Sequence, residues 1–302
     1  MNEPWKGTFT ALVTPFTADR AVDEESLAKL VDLQVEGGVE GIVACGTTGE
    51  SATLSNEEQL RVIQLVRERA DARVLIVAGV GGNSTDRVVS QARAAGSLGV
   101  DGILSVVPYY NKPSQEGLYR HFSELADAVD VPIILYNVPS RTGANLLPVT
   151  VRRLAKHVNV RGIKEASGDL AQVMELLGER PKGFSVLSGE DYLAYPVLAL
   201  GGDGVVSVVS NEVPMLMSRM VREALAGHHA EAREIHFQLL GLMNANFIES
   251  NPIPVKAALA MMGLVGEHYR LPLVPIREEN RARLREQLAL LDLVEELTPD
   301  RG

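Results

Sequence analysis

A chain of 302 residues with 46% hydrophobic and 23% charged side chains can hide about three quarters of its unfolded surface, which excludes a disordered or fibrous protein. Lysine and arginine total 29 against 39 aspartates and glutamates, a formal charge of −10 that argues against nucleic acid or an anionic membrane as partner. One cysteine, Cys45, allows no intrachain disulfide and no cysteine-rich zinc module; with a polar start from Met1 to Gly7 and no apolar run near the roughly 18 residues of a bilayer span, the chain reads as cytoplasmic.

From Thr8 onward, short β-branched runs alternate with helical periods, the pattern of strand–helix units around a parallel sheet. Eight strands are predicted, near Thr8 to Phe16, Gly41 to Gly46, Val74 to Gly79, Gly102 to Pro108, Val131 to Val138, Val160 to Ala166, Phe184 to Ser188 and Gly204 to Val209. Eight such units close a (β/α)8 TIM barrel. Gly38-Val39-Glu40-Gly41, Gly99-Val100-Asp101-Gly102 and Gly201-Gly202-Asp203-Gly204 repeat one template, in which the first glycine caps a helix in the left-handed region and the second lets the strand pack closely. Ser55, three residues before Glu58, and Ser114, shortly before Glu116, mark helix starts. After about Ala226 only helices follow, at His229 to Ile248, Pro254 to Met262 and Arg277 to Leu297, broken by Pro252, Pro254, Pro272 and Pro275. The expected division is a barrel over 1–226 and a helical C-terminal domain over 227–302, packed on the barrel or on a neighbouring subunit because no low-complexity linker separates them.

Barrels carry their reactive groups at the C-terminal ends of the strands, so those positions are read first. After strand two, Gly46-Thr47-Thr48-Gly49-Glu50-Ser51 is either a carboxylate-binding nest of hydroxyls and N–H groups or a glycine-rich turn that caps the next helix. Gly79-Val80-Gly81-Gly82 after strand three is weak evidence for phosphate, and Ser188-Gly189-Glu190-Asp191 after strand seven is acidic where barrels often hold phosphate, so a phosphorylated substrate is disfavoured. The aromatic pair in Pro108-Tyr109-Tyr110-Asn111-Lys112-Pro113, after strand four, has the look of an interface contact.

Strand five ends in Tyr136 and runs on to Arg141; a phenol can shuttle a proton and a guanidinium fork can hold a carboxylate, although each is also an ordinary packing or ion-pair residue. Strand six places Lys164 between Gly162 and Ala166 on one face. Small neighbours leave a pocket over the amine, and burial disfavours an ammonium, which would free a Schiff-base nucleophile. The alternative is a strand-end lysine paired with Glu165. The six histidines, His121, His157, His228, His229, His236 and His268, fall away from the strand ends and form no paired-ligand motif, so no metal is expected.

The motifs around Thr47, Tyr110, Tyr136, Arg141 and Lys164, in that order and over nearly the whole chain, resemble the pyruvate-dependent class I aldolases of the dihydrodipicolinate synthase and N-acetylneuraminate lyase superfamily. The resemblance implies that Lys164 forms an imine with pyruvate, that Tyr136, Thr47 and Tyr110 make up a proton relay, and that Tyr110 enters the site of a neighbouring subunit. It further implies a homotetramer built as a dimer of dimers, Thr48 as ligand of the pyruvate carboxylate, and Gly189 and Val206 near the imine. Arg141 matches the arginine that holds the carboxylate of L-aspartate 4-semialdehyde and that sialic-acid lyases typically lack. The implied reaction condenses pyruvate with that aldehyde to give 4-hydroxy-tetrahydrodipicolinate, without a cofactor.

One departure concerns regulation. Members of the family inhibited by lysine carry two histidines and a glutamate where this chain has Asn56, Gln59 and Arg87, although Asn83 and Tyr109 match. A cation at Arg87 repels a lysine ammonium, so feedback inhibition is expected to be weak or absent. Two other activities remain open: an aldolase of the same superfamily acting on 2-keto-3-deoxy sugar acids, against which Arg141 and Thr47 speak, and a silent barrel that senses 2-keto acids, against which the set of Lys164, Tyr136 and Thr47 speaks.

Overall fold

Residues 5–295 are described by a computed structural model. The parallel strands β1 (Gly7–Ala11), β2 (Gly41–Ala44), β3 (Leu75–Gly79), β4 (Gly102–Val106), β5 (Ile133–Asn137), β6 (Val160–Glu165), β7 (Ser185–Ser188) and β8 (Gly204–Ser207) pair in sequence order into a closed barrel, sealed by β1 against β8 at Gly7 and Gly204. Between them run α1 (Glu24–Glu36), α2 (Asn56–Ala70), α3 (Thr85–Ser97), α4 (Gln115–Ala128), the short α5 (Pro139–Thr142), α6 (Pro148–Leu154), α7 (Leu170–Glu179) and α8 (Asp191–Ala199). After β8 come α9 (Pro214–Leu225), α10 (His229–Ala245), α11 (Ile253–Met261) and α12 (Glu278–Ala289).

The predicted glycine template holds, with a reason for each half. Gly38, Gly99 and Gly201 end their helices at φ 72°, 75° and 96°, where a side chain is strained. A Cβ on Gly41 would lie 2.4 Å from the Phe9 ring, and one on Gly102 would lie 2.7 Å from Trp5. Gly41 and Gly102 thus make room for the two rings that plug the lower end of the barrel, while Gly204 lets β8 close on Gly7 of β1. Above them the inward-facing positions Ala11, Val43, Val77, Leu104, Ile134, Leu187 and Val206 fill the interior, so the cylinder is a core rather than a pore.

The first predicted strand is too long. β1 ends at Ala11, and only an isolated bridge to Val22 involves Phe16. The chain leaves the sheet because Val13 N donates to Asn211 Oδ1 (3.1 Å) and the Thr14 hydroxyl to Gly49 O (2.7 Å), bonds that side chains and a loop offer in place of a strand partner.

Both expected helix caps form. Ser55 and Glu58 make a reciprocal capping box, and the Ser114 hydroxyl accepts from Gly117 N (3.2 Å), each cap contributing about 1 kcal/mol. α10 stops at Ala245 rather than Ile248 and α12 at Ala289 rather than near Leu297, of which 296 and 297 lie outside the described residues, as do 1–4 and 298–302 at the ends of the two expected domains. Met217, Met220 and Val221 of α9 join Leu239, Leu242 and Met243 of α10, Ala257 of α11 and Leu284 of α12 in one apolar cluster, which lays the C-terminal helices against the barrel. Among the described residues, no helix is long and apolar enough to cross a membrane.

Candidate active site

Tyr136 on β5 is in register with Lys164 on β6, which is in register with Leu187 on β7. Strand alternation turns all three into the barrel and sends Glu165 to the helix side. There Glu165 accepts from Asn137 Nδ2 (3.1 Å), Ser167 N (2.7 Å) and Gln172 Nε2 (3.2 Å), so it is not the partner of Lys164. Lys164 is 5% exposed, and its Nζ lies 4.3 Å from the centroid of the Tyr136 ring.

The room beside the amine does not come from Gly162, as the alternation suggested. Gly162 is two residues lower, about 6.5 Å along the strand, and its missing Cβ lets β7 approach at Ser185. Space is left instead by Ala166 and Gly189: a Cβ on Gly189 would meet the Ala166 Cβ at 2.6 Å and Lys164 Cε at 3.1 Å.

A cavity of about 540 Å3 opens over this end of the barrel, within the size range of small-molecule sites, and its wall includes Thr47, Tyr136, Val138, Arg141, Tyr109 and Asn251. The structure therefore brings Thr47, Tyr136 and Arg141 together around one space. Lys164, Thr48, Gly189 and Val206 are off that wall, with Lys164 one strand across from Tyr136. Thr48 is buried, and its hydroxyl accepts from Asn251 Nδ2 at 3.0 Å. The exposed Arg141, on α5, donates from Nη2 to Asn251 O at 3.4 Å. Asn251, from the C-terminal segment, thus touches two of the expected substrate ligands; no strand-end rule could find it, since it is more than 100 residues from either.

Val206, on β8, is buried beside Phe9 of β1. The turn that follows it is held by the Asp191 carboxylate, which accepts from Val208 N and Val209 N, both at 2.9 Å. Burial pushes the Asp191 carboxyl above its ordinary range. Next to it, burial raises Glu190 to about 7, an effect that the charge of Asp191 strengthens and those of Lys164 and Arg141 oppose. Glu190 is therefore within electrostatic reach of both Lys164 and Arg141. In the sequence, this loop spoke against phosphate and, through the resemblance, offered Gly189; the acid directly after Gly189 was the signal that pointed to Glu190.

Tyr110 does not join the others. It is 88% exposed at φ 74° and outside the cavity wall, while Tyr109 lines it. Asn56 and Gln59 line the outer part of the cavity; Arg87 borders a separate space of about 380 Å3 with Asn56, Ser90 and Gln91. Both amides are engaged, Gln59 donating to Ser51 O (2.9 Å) and Asn56 accepting from Gln91 (2.7 Å). No cluster of three or more histidine, cysteine or acidic side chains suited to a metal occurs among the described residues.

The pattern of the dihydrodipicolinate synthetase family matches residues 4–290. A 4-hydroxy-tetrahydrodipicolinate synthase of Chlorobium limicola is 52% identical over 289 residues, covering 95% of this chain and 98% of that one. Among solved structures, dihydrodipicolinate synthase from Aquifex aeolicus superposes with a TM-score of 0.94 at 44% identity, covering 96% of this chain and 99% of that one. The enzyme of Acinetobacter baumannii, solved in complex with pyruvate, gives the same TM-score of 0.94, identity of 44% and coverage of 96% and 99%.

Proposed function

The chain belongs to the dihydrodipicolinate synthetase family, and from that premise we propose that Lys164 is the amine that carries pyruvate as an imine. The reaction is that of the 4-hydroxy-tetrahydrodipicolinate synthases: a class I aldolase condensation of pyruvate with L-aspartate 4-semialdehyde, on the route to diaminopimelate and lysine. The observation that carries the residue assignment is the Lys164 amine 4.3 Å from the Tyr136 ring, beside a cavity that also holds Thr47 and Arg141.

In the first step the neutral amine adds to C2 of pyruvate and water leaves, giving the protonated imine. Tyr136, Thr47 and the partner's Tyr110 pass the protons that this addition and loss require. The imine withdraws electrons from C3, a methyl proton departs, and the enamine forms; the imine is itself the electron sink, so the step asks for no metal or other cofactor. Enamine C3 then attacks the aldehyde carbon, whose oxygen takes a proton. Last, the amino group of the bound adduct attacks C2, closes the ring and expels Lys164. Thr48 holds the pyruvate carboxylate, and Arg141 that of the aldehyde substrate. Gly189 leaves the imine its space, and Val206 packs near it.

Tyr110, exposed on its own chain, serves the site of a second copy, and the working unit is a dimer within a homotetramer. The protein works in the cytoplasm, in keeping with its lone cysteine. Borohydride reduction in the presence of pyruvate, followed by peptide mass spectrometry, is the test: a reduced adduct on Lys164 supports the assignment, and an adduct elsewhere or none overturns it. A coupled assay comparing aspartate semialdehyde with 2-keto-3-deoxy sugar acids then checks the substrate, with turnover of the sugar acids alone as the contrary result.

A further inference from the structure

We propose that Lys256, on α11, is a positioning residue for this reaction: its ammonium, bound to Glu50, fixes the loop that presents Thr47 and Thr48. The proposal rests on the assignment of Thr47 to the proton relay.

Among the described residues, no other ion pair is so fully buried on both sides. Lys256 Nζ and Glu50 Oε1 are 2.6 Å apart, with side-chain exposures of 0% and 1%, and the two residues are 206 positions apart in the chain. The ammonium lies 4.2 Å from the centroid of the Phe16 ring and 5.2 Å from that of Tyr269, whose own hydroxyl is tied to Ile253 O at 2.9 Å. Burial pulls Lys256 below the usual lysine range and the Glu50 charge acts against that. A buried ion pair of this kind can commonly be replaced by apolar side chains with no loss of stability, so the fold alone does not explain it.

What it holds does explain it. Glu50 occupies the left-handed region at φ 52°, a backbone state that a non-glycine residue keeps only where its surroundings enforce it. Its N–H donates to Thr47 O (3.1 Å), and its carbonyl accepts from Thr53 N (3.0 Å), so this residue closes the turn on which Thr47 sits. Glu50 and Thr47 line the same cavity. The segment that leads into α11 reaches the same place by a second route, through Asn251 on Thr48 and Arg141. Remove the ammonium, and the carboxylate of Glu50 has no partner to keep the turn closed; Thr47 then loses its place relative to the bound imine.

The experiment compares Lys256→Met, the double variant Glu50→Gln/Lys256→Met, which carries no buried charge, and Thr47→Val. At saturating pyruvate, three quantities are read: the borohydride adduct on Lys164, kcat, and the exchange of pyruvate methyl protons for deuterium by NMR. The expected result for both Lys256 variants is an intact adduct with kcat and methyl exchange reduced together by about tenfold or more, the scale that a small misplacement of a catalytic group produces. A merely structural pair would lower the melting temperature and leave exchange per folded site unchanged. The proposal is overturned if the double variant folds and exchanges at the wild-type rate, and equally if neither variant folds, because the pair is then a requirement of the fold. Should Thr47→Val exchange normally, the relay assignment fails instead, and the two failures are told apart.

Discussion

Two lysines are buried at this end of the molecule, and they are kept in opposite ways. Lys256 is clamped on a carboxylate at 2.6 Å, between two aromatic rings, on a helix of the C-terminal segment. Lys164, 5% exposed on β6, faces Ala166, Gly189 and the Tyr136 ring, while the glutamate next to it in sequence turns away. A lysine nitrogen tied to a carboxylate at 2.6 Å between two rings has no free side from which to attack a carbonyl. An amine set among Ala166 and Gly189 has space beside it for a three-carbon acid. One lysine is held on a partner, and the other, proposed to carry the imine, is left with room beside it.

The largest effects separate the two by substitution. Lys164→Ala should lower turnover by roughly four orders of magnitude or more, as loss of a covalent nucleophile does, and abolish the borohydride adduct. Its stability should stay within about 1 kcal/mol of the parent, because no partner is left unpaired. Lys256→Ala should do the reverse in urea unfolding and cost about 3–5 kcal/mol, the range for stranding one member of a buried pair. If Lys256 takes up the adduct, or if Lys164→Ala is the less stable variant, the contrast drawn between them is wrong.

Arg141 sharpens the contrast at the mouth of the cavity. Arg141→Ala should raise the KM for aspartate semialdehyde by about 10- to 100-fold, the equivalent of one charged hydrogen-bonded contact. The rate of pyruvate adduct formation on Lys164 should hold. A large loss in both steady-state constants for pyruvate would mean that Arg141 serves the first substrate, not the second.

Much of this was legible in the sequence because parallel strands buried on both faces read as short apolar runs, and because barrels put chemistry at strand ends. That rule singled out Lys164, Tyr136, Thr47 and Arg141, of which the last three line one cavity with Lys164 one strand across from Tyr136, and the glycine template marked three strand starts. Alternation gives the face of a residue but not its height, which is why Gly162 was credited with the space that Gly189 provides. The first strand was overextended because Leu12 and Val13 are as apolar as a strand, and nothing local reveals that Val13 bonds to Asn211. Lys256 and Asn251 were invisible for a related reason. A lysine within Ile253-Pro254-Val255-Lys256-Ala257-Ala258-Leu259 is ordinary on a helix, and its partner is two-thirds of the chain away.

A smaller effect concerns the charge around Lys164. Glu190 is held protonated up to about 7 by burial, from an ordinary value of 4.5. Between those values the folded protein keeps a proton that the unfolded chain has released, so this group's contribution to stability falls as pH rises through the window and is level above it. Glu190→Gln should lack that slope, so the difference between the two stability curves should show it between those pH values. Lys164 is among the charges that oppose the rise, so in the Lys164→Ala background the Glu190 midpoint, followed by carboxyl 13C NMR, should move upward. A midpoint that stays put would mean that the two side chains do not sense each other.

The smallest expected effect is inhibition by free lysine, and it returns to what a buried ammonium needs. Lys256 has Glu50 as counter-charge; a lysine entering the space bordered by Asn56, Ser90 and Gln91 would meet Arg87 instead. Like charges there repel, and the nearby amides of Asn56 and Gln59 are already engaged. Activity should therefore remain above half at about 1 mM lysine, a concentration that saturates an ordinary micromolar site. Arg87→Glu reverses the sign of the local charge and should increase whatever inhibition exists, while leaving the adduct on Lys164 unchanged. Strong inhibition of the parent below that concentration would show that another group supplies the counter-charge, and Arg87→Glu would then have little further effect.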